Sequence, residues 1–246
     1  MTSTVAETRP AAADERYGGS SAAGGEGVWH RVLESIGEGE RQDLVRSAVR
    51  RRFARNEVVF HEGDPGDALH IVTAGVFIAR SSSTLGEVIA VNVFGPGEVF
   101  GELALLTADN HRNATIVAVQ GGATLMLARS HFEDLRRRNP RVDRFLLSVL
   151  AERNKRLNDQ LLELQFTAVE QRVYRRLLTF CRMATAADAD EWVRLSQNEV
   201  AMLAGTTRST ANRMLRRAAE RGVIELARGR LRVVDEGALA ALAGVT

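Results

Sequence analysis

The chain has 246 residues and one cysteine, Cys181. A single thiol excludes a disulfide framework within the chain, and any all-cysteine zinc or iron–sulfur centre. No apolar run is long enough to cross a bilayer, and the N-terminus lacks the apolar core of a secretory signal. The expectation is a cytoplasmic protein. Excess charge of either sign is also missing: 33 Lys and Arg stand against 31 Asp and Glu. A nucleic-acid face must therefore come from local clustering. His61, His70 and His111 lack the spacing of metal ligands and have no carboxylate or thiol constellation around them, so no metal is expected. No nucleophile is paired with a base, which speaks against an enzyme.

Apolar residues make up 45% of the chain, ordinary for a globular protein. The length allows one large or two modest domains. Met1 to about Gly27 is rich in Ala, Gly, Ser, Thr and Glu, with almost no apolar periodicity, and reads as a disordered tail. Val28 to Val49 reads as one or two helices, with Trp29, Val32, Leu33 and Ile36 at helical spacing and Leu44 and Val45 following. From Arg52 to Ser130 the pattern changes to short strands with Gly-rich corners. Candidates are Glu57–Phe60, Ala68–Val72, Val76–Ser81, Glu87–Phe94, Thr115–Val119 and Ala123–Leu127. Short strands at close spacing predict an antiparallel sandwich or barrel.

One stretch interrupts those strands: Phe100-Gly101-Glu102-Leu103-Ala104-Leu105-Leu106, then Arg112-Asn113-Ala114-Thr115. Its residue types suit a cyclic phosphate diester. Gly101 lets backbone approach a ligand closely. Glu102 can accept from a ribose hydroxyl, the amides of Leu103 and Ala104 open a helical turn where phosphate is favoured, and Arg112 can fork onto phosphate oxygens.

His131 to Asn139 reads as a short helix stopped by Pro140, and a long helix follows from about Arg141 to Gln165. Leu147, Leu150, Asn154, Leu157, Leu161 and Leu164 alternate at three and four, which is a heptad seam with Asn154 at an a position. That pattern predicts a parallel homodimer. Glu152, Arg153, Lys155, Arg156 and Asp159 are assigned to its polar outer faces. Phe166-Thr167-Ala168 breaks the heptad and predicts a hinge. Val169 to Met183 reads as another helix, with Val173, Leu177, Leu178, Phe180 and Cys181 inward, and Ala184 to Glu191 as a loop.

A short strand is expected near Trp192–Leu195. Ser196-Gln197-Asn198-Glu199 is then a capping box. The helix it opens stops at Gly205, and a second runs from Thr207 to Arg221, a helix-turn-helix signature. Ile224–Ala227 and Leu231–Val234 flank Arg228-Gly229-Arg230 as a hairpin wing, and Asp235 can cap a last short helix. The second helix carries Arg208, Arg213, Arg216 and Arg217 with no acid before Glu220. Its first half offers Arg208, Ser209, Thr210 and Asn212, side chains that reach base edges and phosphates.

The order of these parts resembles the Crp/Fnr family of bacterial transcriptional regulators. Val59-Phe60-His61-Glu62-Gly63-Asp64-Pro65-Gly66-Asp67, with the strand ending at Gly75, is similar to that family's cyclic-nucleotide-binding domain, and Gly101 to Thr115 to its phosphate-binding cassette. The resemblance implies an α+β protein in three parts. Residues 28–140 would be a jelly-roll-like β-roll that binds cAMP, 141–166 a dimerisation helix and 167–246 a winged helix-turn-helix. It implies that Gly101 and Glu102 meet the ribose, and that Arg112 and the backbone at Leu103 and Ala104 meet the phosphate. Arg208 and Arg213 would read guanines in a two-fold double-stranded DNA site, while Thr207, Thr210 and Arg228 hold phosphates. RNA polymerase is a further partner if the protein activates; no membrane is involved.

Three departures from the family's cAMP-responsive members stand out. Asn113 stands where they carry Ser, Leu157-Asn158 where they carry Thr-Ser at the adenine, and Ser209 where an acid separates the two arginines. Asn158 can still bond the adenine edge, whereas Leu157 cannot. Iron–sulfur sensing is excluded by the lone cysteine, and haem sensing has no matching His near Gly101. An enzyme gated by such a domain has no room, because 167–246 is taken by the DNA-binding fold. A regulator whose pocket no longer depends on cAMP remains open, as does cGMP.

Overall fold

The computed structural model describes Gln42 and residues 46–82, 88–187 and 192–245. The tail over 1–27 and the helices expected from Val28 lie outside the described residues, apart from the end of the second. There Val49 opens a strand instead.

Eight strands build the first part: β1 (Val49–Phe53), β2 (Val58–Phe60), β3 (Ala68–Ala74), β4 (Phe77–Ser82), β5 (Val88–Phe94), β6 (Val99–Phe100), β7 (Thr115–Ala118) and β8 (Gly122–Ala128). They form two four-stranded antiparallel sheets, ordered β1-β8-β3-β6 and β2-β7-β4-β5. The expected antiparallel sandwich is thus present. β1 and β6 were not expected. β1 reads Val-Arg-Arg-Arg-Phe, and only Phe53 is buried, so no alternation betrays it. Pairing with β8 along the sheet edge makes it a strand.

Between the sheets lie Phe53, Val72, Phe77, Phe94, Phe100 and Ile116. His70 is among them, stacked on Phe100 with centroids 5.1 Å apart and sharing a 3.0 Å hydrogen bond with Thr124.

The second sheet has two occupied faces. Along β4, Ala79 and Ser81 turn to a cavity on one side, while Ile78 and Arg80 turn to the C-terminal part. Val76, Ile78 and Val119 share one apolar cluster with Val173, Tyr174, Leu177 and Val200. Cys181 belongs to that cluster, and burial pushes its thiol up to about 12. Gln120 donates to the Arg194 carbonyl at 2.8 Å. Arg55 and Arg80 approach the Glu199 carboxylate at 3.6 and 3.9 Å.

After a four-residue turn of helix, α1 (Leu103–Leu106), and α2 (Arg129–Arg138), the long helix α3 spans Arg141–Phe166. Helix α2 starts ahead of the expected His131. On α3, Val142 and Leu146 pack on Leu69, Ile71, Leu127 and Phe132, and Val149 is buried one turn on. An adjoining stripe is open: Leu147 is 67% exposed, Leu157 48%, Leu161 64% and Leu164 51%. Helix α3 ends at Thr167, whose φ of −104° and ψ of 133° are extended. Arg172 spans this break. Its guanidinium reaches the carbonyls of Leu164, Thr167, Ala204 and Gly205 at 3.0–3.4 Å.

Helix α4 (Val169–Ala187) outlasts the expected Met183, and its last four residues replace the start of the expected loop. The Trp192–Leu195 strand reduces to one antiparallel bridge, Val193 to Leu231. Helix α5 (Gln197–Ala204) begins at the capping box, with Ser196 accepting from the Glu199 amide and Glu199 from the Ser196 amide. It ends at Gly205 in the left-handed region, φ 58°. Then follow α6 (Arg208–Glu220), the hairpin β9 (Ile224–Ala227) with β10 (Arg230–Val233), and α7 (Glu236–Ala243) capped by Asp235.

Burial, then the charges of Arg112 and Arg51, lower the His70 pKa from 6.5 to about 3. An unfolded chain takes up this proton near pH 6.5 while the folded one does not, so stability falls as pH drops through 6.5. At pH 5 the loss is about 2 kcal/mol. His70→Gln should lose that much less than the parent between pH 7.5 and 5 in urea unfolding; parallel profiles would refute the assignment.

Candidate functional site

A cavity of about 300 Å³ opens between the second sheet and α3. Strands supply Phe60, Ala79, Ser81, Val91, Asn92 and Phe94 from the sheet side. The turn Phe100 to Leu103 closes one end, and Asn113 and Ala114 stand beside it. The helix supplies Arg153, Arg156, Leu157 and Gln160.

Gly101 holds φ 83°, in the left-handed region. A Cβ there would stand 2.7 Å from Arg112 Nη1. So the glycine makes room for the arginine. Arg112 itself does not line the cavity. It is 4% exposed, behind Gly101, with Nη1 donating to the Gly101 carbonyl at 2.9 Å and Nη2 to Asp67 at 3.2 Å. Its guanidinium lies over Phe60, 4.1 Å from the centroid.

Glu102 is fully buried and lines the cavity. Burial raises its carboxyl above the usual range, and Arg153 works against that shift. Arg153 Nη1 donates to Glu102 Oε1, and Nη2 to the Val99 carbonyl. The same guanidinium lies 5.2 Å from the Phe94 centroid. Glu102 Oε2 is buried and has no hydrogen-bond partner among the described residues. Arg156 pairs with Glu98 at 3.3 Å.

Of the expected ligand residues, Gly101, Glu102, Leu103, Asn113 and Leu157 meet at this cavity. Ala104 is buried without lining it, and Asn158 points away, exposed on the helix. Arg153 and Arg156, assigned above to outer polar faces, are inner residues. They continue the stripe Val142, Leu146, Val149 by steps of four and three, and that spacing was the available signal.

The second helix of the helix-turn-helix buries Ala211, Met214, Leu215 and Ala218. Arg208, Ser209 and Arg213 are exposed on its outer side, with Thr210 and Asn212 half-buried. Thr207 is the N-cap. Its hydroxyl accepts from the Thr210 amide at 3.2 Å and bonds the Ser209 hydroxyl at 3.0 Å. Arg217 lies 3.7 Å from Glu170. Arg228 is exposed at the wing tip, next to Gly229 at φ 72°. Among the described residues no group of His, Cys, Asp and Glu could hold a metal, and no helix is long and apolar enough to cross a membrane.

Residues 50–139 match the family described as "Cyclic nucleotide-binding domain", and 171–242 that described as "Crp-like helix-turn-helix domain". The chain is 33% identical to the cyclic AMP receptor protein of Thermus thermophilus, over 83% of this chain and 93% of that one. It is 33% identical to the CRP-like cAMP-activated global transcriptional regulator of Mycobacterium tuberculosis, over 71% and 79%. Among solved structures, the c-di-GMP responsive regulator CLP of Xanthomonas campestris has a TM-score of 0.67 at 21% identity, covering 80% of this chain and 99% of that one. That last likeness is one of fold. With both family matches in order along one chain, and a full-length relative at this identity, the chain belongs to the Crp/Fnr family of transcriptional regulators, with a cyclic-nucleotide-binding domain ahead of a helix-turn-helix.

Proposed function

We propose that this protein is a homodimeric regulator whose binding to two-fold DNA sites is set by cAMP held in the cavity beside Glu102. Residues 28–140 act as the sensor, 141–166 as the dimer helix and 167–246 as the DNA reader, in the cytoplasm. One observation carries the ligand half. A buried carboxylate oxygen, Glu102 Oε2, meets no donor among the described residues at the wall of a cavity. Buried acceptors are normally satisfied, and a ribose hydroxyl supplies the missing donor. The phosphate goes to Arg112, which must exchange its present acid for the ligand. That exchange is easy, because the Asp67 side chain is 89% exposed and an exposed acid holds its partner weakly. The relatives named for cAMP support the same effector.

The apolar stripe of α3 supports the dimer. Leu147, Leu157, Leu161 and Leu164 are exposed along one side of the helix, with Asn154 among them. A second copy of that stripe buries it as a parallel seam. The two recognition helices then stand about 34 Å apart to enter successive major grooves. Arg208 and Arg213 read guanines, and Arg228 holds a phosphate. If the complex activates, RNA polymerase is its further partner. Leu157 favours a second reading. An apolar side chain lines the helix side where a base edge needs a bond, which suits an effector other than cAMP.

Titration calorimetry with cAMP, cGMP and c-di-GMP separates the readings. Arg112→Ala should weaken cAMP binding by roughly 2–5 kcal/mol, since a buried phosphate then lacks its partner; unchanged affinity would remove Arg112 from the site. Leu147→Glu with Leu161→Glu should sediment as a monomer, and a persistent dimer would place the interface elsewhere. Selection from a randomised duplex pool should return a palindrome with paired guanines. Arg208→Ala should lose about 1–3 kcal/mol of discrimination at one base pair per half-site, and an unaltered preference would exclude it as a reader.

A further inference from the structure

Trp192 stands just before α5, outside the apolar cluster that takes in Val193 and Leu195. Val193 is locked to the wing by paired backbone bonds with Leu231, 2.8 and 2.9 Å long. Both side chains are buried. Neighbours along extended chain point to opposite faces, so the Trp192 ring meets Arg230 and Arg232 instead. Their guanidinium carbons lie 4.8 and 5.4 Å from its centroid. The two arginines differ. Arg232 is half-buried and bonded to Glu225 at 2.8 Å. Arg230 is exposed and has no acidic partner among the described residues.

We infer that Trp192 is a positioning residue for DNA binding: its ring holds Arg230 of the wing ready for a backbone phosphate. The inference rests on the DNA-binding reading above. A guanidinium stacked on a ring uses its face and keeps its in-plane N–H fork. A phosphate oxygen is what that fork fits. An unheld arginine loses much of its rotamer freedom when it docks, and one already laid on a ring loses less. Arg232 is committed to Glu225 and braces the other contact of the ring. The wing thus offers two phosphate contacts: Arg228 at the turn of Gly229, and Arg230 on a strand with its head held on the ring. Contacts to phosphate carry no sequence information, so Trp192 adjusts affinity without adjusting which bases are read.

The test uses the full-length protein with cAMP at a fixed concentration. Fluorescence anisotropy follows binding to a labelled selected site and to a random duplex across a salt series. Arg230→Ala should lower the slope of log affinity against log salt by about 0.9, the value of one phosphate contact. Trp192→Leu keeps every charge. It should weaken binding to both duplexes alike, about threefold to tenfold, and leave the salt slope at the parent's value. Trp192→Phe, which retains a ring, should fall between. A second readout covers the case in which Trp192→Leu does not fold. The chain has two tryptophans, Trp29 and Trp192. In a Trp29→Phe background the emission of Trp192 should change on adding unlabelled DNA, and should change less with Arg230→Ala. Parent-like affinity in Trp192→Leu, an unaltered salt slope in Arg230→Ala, or emission indifferent to DNA would each overturn the role of Trp192. A parent that binds neither duplex would overturn the DNA-binding reading itself.

Discussion

A carboxylate buried inside a protein must find a partner, and at Glu102 that need organises the fold. Burial alone drives this group toward its neutral form. Arg153 answers it from 51 residues away, and bonds the Val99 carbonyl with its other nitrogen. The cassette is therefore fastened to α3, and not only packed beside it. Helix α3 has its free apolar stripe on an adjoining side and the break at Thr167 at its end. Anything that changes the surroundings of Glu102 acts on the element that carries both. A ligand biases any such element only through a difference in its affinity for two states.

Local grammar was readable from the sequence. The capping box at Ser196 and Glu199, the left-handed stop at Gly205 and the Asp235 cap each depend on residues a few positions apart. The antiparallel strands with glycine corners were readable for the same reason. What escaped depends on partners far away in sequence. β1 is a strand because β8 lies beside it, and its arginines conceal that. Arg153 looks like a surface charge until Glu102 is placed opposite. Arg112 was expected to face a phosphate at the cassette, and it stands behind Gly101, bonded to that carbonyl. Its inward pose, over Phe60 and against Asp67, follows from a turn that ends 45 residues upstream.

The second sheet separates two environments by the two-residue repeat of a strand. Ala79 and Ser81 border the cavity while Ile78 and Arg80 meet the C-terminal part. The two parts therefore share a wall as well as a helix. They are joined along two paths, one through α3 and Arg172 and one straight through the sheet.

Glu199 shows what such sharing does to the freedom of a sequence. Its carboxylate starts α5 by accepting the Ser196 amide at 2.6 Å, and the same group faces Arg55 and Arg80 across the domain boundary. Change at this position must therefore satisfy two structural elements together. Glutamine still serves in a capping box, yet it brings no charge for the two arginines. Aspartate keeps the charge on a shorter stem. Position 199 is thus a place where helix initiation and domain docking constrain drift jointly. An exchange of Glu for Gln pulls the two apart, keeping the box and removing the charge.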